Sequence, residues 1–129
     1  MHRAVVVASC GALLVLVGCA TPTQRAQLSA QSLTSDAREG ARLAEQIVRG
    51  RAGPTFARTH AEELQDDVTR IENSIADTPT PDGAKLLRLG GELDRALGAI
   101  AIHPTDVSRA RKSAKTLRQL SSKLARVAS

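Results

Sequence analysis

Three features of the sequence predict an all-α fold, an up-down bundle of four helices. Strong helix formers (Ala, Leu, Arg, Glu and Gln) dominate the chain after its first 18 residues. Aromatic residues amount to one Phe, with no Tyr or Trp, and Val and Ile recur at helical rather than alternating intervals, which leaves little for a sheet. Apolar or small residues step by threes and fours along four stretches divided by Gly and Pro.

The first stretch, near Thr23 to Arg49, carries Ala26, Ala30, Leu33, Ala37, Gly40, Ala44 and Ile47 on one face. That face is small rather than greasy, so its packing is expected to be the least secure. Gly50-Arg51-Ala52-Gly53-Pro54 ends it. The second stretch, about Thr55 to Asp77, aligns Ala57, Ala61, Leu64, Val68, Ile71 and Ile75. Two starts compete: Pro54 in the first turn, or the capping-box spacing of Thr59 and Glu62.

Thr78-Pro79-Thr80-Pro81 separates the third stretch, with Thr80 as its expected N-cap. Running to Ile102, it carries Leu86, Leu89, Leu93, Leu97 and Ile100, and includes Gly90, Gly91 and Gly98. Each interior glycine costs a helix about 0.8–1.0 kcal/mol relative to alanine, so either a bend or the close approach of a neighbouring backbone is expected. After His103-Pro104 comes the fourth stretch, about Thr105 to Ala128, with Val107, Ala110, Ala114, Leu117, Ser121, Leu124 and Ala128 in register. Leu120 and Val127 widen this stripe and are candidates for contact with a partner helix. Short connections favour antiparallel neighbours. The alternative architecture is a three-helix bundle of the last three segments, with the first as an N-terminal helical stalk.

Ahead of these segments, Met1-His2-Arg3 precedes a run without charge from Ala4 to Ala20. A short positive start followed by an apolar stretch has the layout of a secretory signal peptide. The apolar part, Ala4 to Val17, falls short of the roughly 20 residues a membrane-spanning helix needs. It closes on Leu16-Val17-Gly18-Cys19. These four residues resemble the lipobox of bacterial lipoprotein precursors. The resemblance covers residues 1–19 only. It implies diacylglyceryl transfer to the Cys19 sulfur, cleavage between Gly18 and Cys19, and in many bacteria N-acylation of the new terminus. Residues 1–18 are then a discarded signal, residues 19–22 a lipidated anchor with a short linker, and residues 23–129 the helical domain.

On this reading Cys10 leaves with the signal and Cys19 is the one cysteine kept, so no disulfide framework is expected. Two acyl chains give stable anchoring. The implied location is the extracytoplasmic face of the cell membrane, or the outer membrane of a two-membrane organism, because Ala20 is not the Asp that favours inner-membrane retention. The covalent lipid is the expected prosthetic addition, with no other cofactor.

Of the 18 basic residues only Arg3 lies in the signal, which leaves 17 against 13 acidic ones. That balance does not imply nucleic acid, and export makes nucleic acid an unexpected partner. Its distribution says more. Residues 55–77 hold six acids and two bases, whereas residues 105–129 hold one acid and seven bases. The simplest expectation is that these segments pair with each other or are separately solvated. Arg58 could relieve Glu62, and Arg70 could relieve Asp66 and Asp67. The alternative is a basic surface, Arg111, Lys115, Arg118, Lys123 and Arg126, that meets anionic headgroups or an envelope protein.

Catalytic patterns are missing. No serine sits in a Gly-x-Ser-x-Gly turn, and no P-loop or dinucleotide glycine pattern occurs. His60, Glu63 and Asp67 share one side of a helix and form a weak metal candidate, with His103 expected at the same end of the bundle. A histidine hydrogen-bonded to a carboxylate or backbone is the expected role for His60. The chain reads as a non-enzymatic, membrane-anchored helical module for protein or cell-envelope contact. The alternative is a small-ligand or lipid carrier that binds between the helices.

Overall fold

The computed structural model describes residues 21–129; Cys19 and the stretch expected to be a signal peptide lie outside them. Four helices run in order: α1 (Pro22–Val48), α2 (Pro54–Asp77), α3 (Gly83–Ile102) and α4 (Val107–Ala128). They pack as the expected up-down four-helix bundle.

The helix starts follow local chemistry. Thr21 accepts a hydrogen bond from Gln24 N while the Gln24 side chain accepts from Thr21 N, a closed capping box with Pro22 in the first turn. α2 starts at Pro54 behind Gly53, so the Thr59/Glu62 spacing is not used as a cap. Thr80 is not the N-cap of α3. That helix starts after Asp82, the Gly83 N–H donates to the Thr80 carbonyl, and the Thr80 hydroxyl is buried without a partner. Asp106 caps α4 by accepting from Arg109 N at 3.0 Å. This hydrogen bond, with the Arg109 charge beside it, holds the Asp106 carboxyl below its usual range.

The leucine stripes fall where the periodicity places them. Leu33, Leu43, Leu86, Leu93, Leu97, Leu117, Leu120 and Leu124 are fully buried in one continuous apolar core. Leu120 and Val127 are therefore not held out for a partner: the first is inside the core and the second is packed against it. Val107, by contrast, is exposed.

The first helix departs most from expectation. It is no stalk and no loosely held element, since Ala26, Ala30, Leu33, Ala37, Ala41, Leu43, Ala44 and Ile47 are all buried. Its most extensive contact is with α4, which offers Ala110, Ser113 and Ala114 as equally small buried residues. Small side chains on both helices let the axes approach closely. Dispersion then acts over many short contacts, and this replaces the bulk that the face lacks.

Contacts around the bundle are unequal. α2 lies along α3 next most extensively, and α1 also touches α3 across the middle, whereas α2 and α4 share no contact. The cross-section is a lozenge whose short diagonal joins α1 to α3. Gly40 sits on that diagonal. A Cβ there would fall 2.7 Å from Leu97 Cδ2 and 3.2 Å from Leu117 Cδ1.

α3 runs unbroken through its glycines, and side chains rather than a backbone cover two of them. Glu72 lies over Gly90, and Gln65 lies over Gly98 while donating to the Asp94 carbonyl and carboxylate. At Gly91 nothing comes within 4 Å of an added Cβ. Gly91→Ala should therefore raise stability by about 0.8–1.0 kcal/mol. Urea unfolding measures this directly, and an unchanged or lower midpoint would mean that the helix needs glycine there.

Candidate functional site

The helix arrangement decides what the charges can do. Six acids and two bases lie on α2, and seven bases with no acid on α4. Because those helices occupy opposite corners, they do not pair with each other, and of the two expectations separate solvation is the one that fits. Arg70 bonds Asp67 on its own helix at 3.2 Å, as its spacing suggests. Arg58 turns away from Glu62 and donates from Nε to the Ala101 carbonyl at 3.3 Å, closing the end of α3.

The five basic residues read from the sequence do not form one patch. Arg111 and Arg118 line the α1–α4 seam, where Arg118 pairs with Glu45 of α1. Lys115 is exposed on α4. Lys123 and Arg126 turn to the other side and line a groove of about 360 Å³ between α3 and α4, facing Lys85 and Arg88. Glu92 borders this groove and also the next one along the same seam. The second groove measures about 880 Å³ and has Arg95, Arg109 and Lys112 on its walls and Ala96 and Ala99 on its floor.

Together the two grooves make a basic channel along the α3–α4 face. Arg109 is held by Asp106 at 3.2 Å. Among the described residues, Lys85, Arg88, Arg95, Lys112, Lys123 and Arg126 form no ion pair within the chain. The α3 half of this surface went unread in the sequence. Its signal was there, since Lys85, Arg88, Glu92 and Arg95 repeat by threes and fours beside the leucine stripe.

The weak metal candidate is not assembled. His60 Nε2 lies 3.2 Å from Glu39 Oε1 of α1, and His60 Nδ1 lies 3.7 Å from Glu63 Oε2. The His60 ring also stacks on Phe56, with centroids 5.5 Å apart. Asp67 is engaged elsewhere, with Arg70 and Asp36, and His103 sits at the α3–α4 turn beside Asp106. No group of three His, Cys, Asp or Glu side chains among the described residues could hold a metal. His60 instead has the carboxylate contact expected of it and links α2 to α1.

Asp36 was not singled out by sequence. It is 8 % exposed, between α1 and α2, and its Oδ2 is buried without a partner. Burial, then a hydrogen bond to Asp67, then the Asp67 charge push its carboxyl up to about 8 against the opposing pull of Arg70. The raised value favours the neutral carboxyl of Asp36 beside the Asp67 carboxylate at neutral pH. Glu72 is raised in the same sense, by burial and then by Asp94. Asp36 lies under packed side chains rather than in an open cleft, so its geometry links helices and offers no reacting position to a substrate.

No family model matches the chain, and no curated protein or solved structure matches it either.

Proposed function

We propose that this chain is a lipid-anchored lipoprotein on the extracytoplasmic face of the cell membrane, a non-enzymatic module that works through its charged surfaces on a protein or envelope polymer. The observation carrying this reading is the segregation of charge on a filled bundle. The interior is one continuous apolar cluster, and the two grooves of the α3–α4 face lie at its surface between charged walls. A filled core supports surface contact over a ligand carried between the helices. No helix among the described residues is long and apolar enough to cross a membrane; the tether in this reading is lipid on Cys19, supported by the lipobox-like Leu16-Val17-Gly18-Cys19.

The tether would be short. α1 begins at Pro22, three peptide steps after Cys19 and at most about 11 Å of extended chain. Lipid on Cys19 would hold the bundle beside the bilayer rather than on a long leash.

Membrane fractionation with intact-mass measurement tests this on the full chain. The native protein should resist a high-salt wash and carry added diacylglyceryl mass with residues 1–18 removed. Cys19→Ala should lose that mass. In-cell crosslinking should capture an envelope partner with the native protein and much less with the variant. An unacylated Cys19 in the native protein would overturn the reading.

A further inference from the structure

We propose that the α3–α4 face of this bundle is a docking surface for the anionic phospholipid headgroups of the membrane to which the chain is tethered, so that the bundle lies on that face with α2 turned outward. The proposal rests on the tether assigned to Cys19.

Three observations choose the face and its occupant. Lys85, Arg88, Arg95, Lys112, Lys123 and Arg126 line one continuous seam, with Glu92 the carboxylate shared by its two halves. None of the six is neutralised by an ion pair among the described residues, unlike Arg118, Arg109 and Arg70. The remaining acidic surface is concentrated on α2, which has no contact with α4 across the lozenge.

Phosphodiester headgroups are the chemistry this surface fits. The seam offers many cationic donors against a single carboxylate, Glu92, and Lys and Arg can follow a mobile array of phosphates without fixed geometry. The floor of Leu89, Ala96 and Ala99 is small and shallow, so little area is offered to a large apolar anchor from a protein partner. Field direction adds to this. An anionic surface attracts the α3–α4 face and repels Glu62, Glu63 and Asp66, so one orientation is favoured twice. Each close Lys or Arg is expected to strengthen surface association about fivefold, an effect screened over roughly 10 Å at 0.1 M salt.

The test uses the full lipidated protein in nanodiscs of phosphatidylcholine alone or with one-third phosphatidylglycerol. One nitroxide is attached at Thr116→Cys in the α3–α4 seam, and another at Asn73→Cys on the exposed side of α2. Accessibility to a water-soluble paramagnetic reagent is then read at both sites. The expected result is protection at position 116, in phosphatidylglycerol discs only, with position 73 open throughout. Protection should fade at 0.5 M salt. It should fall at least tenfold in Lys85→Glu/Lys112→Glu/Lys123→Glu, a surface variant whose helicity is checked by circular dichroism. Equal protection in both lipid mixtures, or protection at position 73 instead, would overturn the proposal. So would release of position 116 by millimolar inorganic phosphate at constant ionic strength, because the seam would then take free phosphate instead. Intact mass of the same samples reads acylation separately. Acylated protein that leaves position 116 open removes the face alone, and an unacylated Cys19 removes the tether.

Discussion

Leu97→Ala should cost about 2–5 kcal/mol of folding free energy, and Gly40→Ala should change from harmful to helpful in its presence. Leu97 is fully buried on the short diagonal, and its Cδ2 occupies the space that a Cβ on Gly40 would need. In the native background Gly40→Ala gains about 0.8–1.0 kcal/mol of helix propensity but meets an overpacking cost of about 1–3 kcal/mol, with net loss the expected result. Removing the Leu97 methyl groups abolishes the 2.7 Å encounter. The added methyl then fills part of the cavity, while the Leu117 contact at 3.2 Å needs only slight adjustment. Urea unfolding of both single variants and the double variant should give a coupling of about 1–3 kcal/mol. Strict additivity would show that Gly40 is not fixed by Leu97.

The second large effect is a dependence of stability on pH that centres on Asp36. Its folded carboxyl is pushed up to about 8 from an ordinary value of 3.8. The folded state therefore binds the proton more tightly than the unfolded chain does. The stabilisation that this proton brings is fully present below about pH 4 and is lost as pH rises through the folded value near 8. Between those limits stability should fall by up to about 1.4 kcal/mol per pH unit. Glu72, raised by burial and by Asp94, acts in the same direction.

Asp36→Asn should flatten the profile, because its amide can donate to Asp67 without a proton to lose. At pH 8 the variant should be at least about 2 kcal/mol more stable than the native chain, with near equality at pH 4. Parallel pH–stability curves for the two proteins would contradict the protonated Asp36–Asp67 pair.

Periodicity made the leucine faces readable because each helix shows its buried stripe independently of its neighbours. Ala26 through Ile47 were placed on the correct face for the same reason. The tightness of that face could not be read, because it needs small residues on the facing helix as well: the small face of α1 gains from α4 only because α4 also buries Ala110, Ser113 and Ala114. Connection lengths likewise gave neighbours around the ring but not which diagonal is short. That missing fact separates α2 from α4 and turns an expected pairing into two opposed surfaces.

Asp36 did leave a trace, standing three residues after Leu33 and four before Gly40, on the edge of the buried face. Helical spacing within α2 groups its neighbour Asp67 with His60 and Glu63. The contact that matters crosses to α1, which same-helix spacing cannot report. The basic seam was half visible for a similar reason. Lys123 and Arg126 stood out in a run of bases, whereas Lys85, Arg88 and Arg95 were diluted by Glu92 and Asp94 until the fold set one helix beside the other.

The long seam between α1 and α4 also has a mechanical consequence. A force entering at Thr21 and directed along the helix axis runs parallel to this seam, so its small-residue contacts bear the load together, in shear. They would give way one at a time only if the end of α1 were peeled sideways. The many shallow contacts along this seam thus favour resistance to an axial pull over resistance to peeling, and the direction of pulling becomes as decisive as its strength.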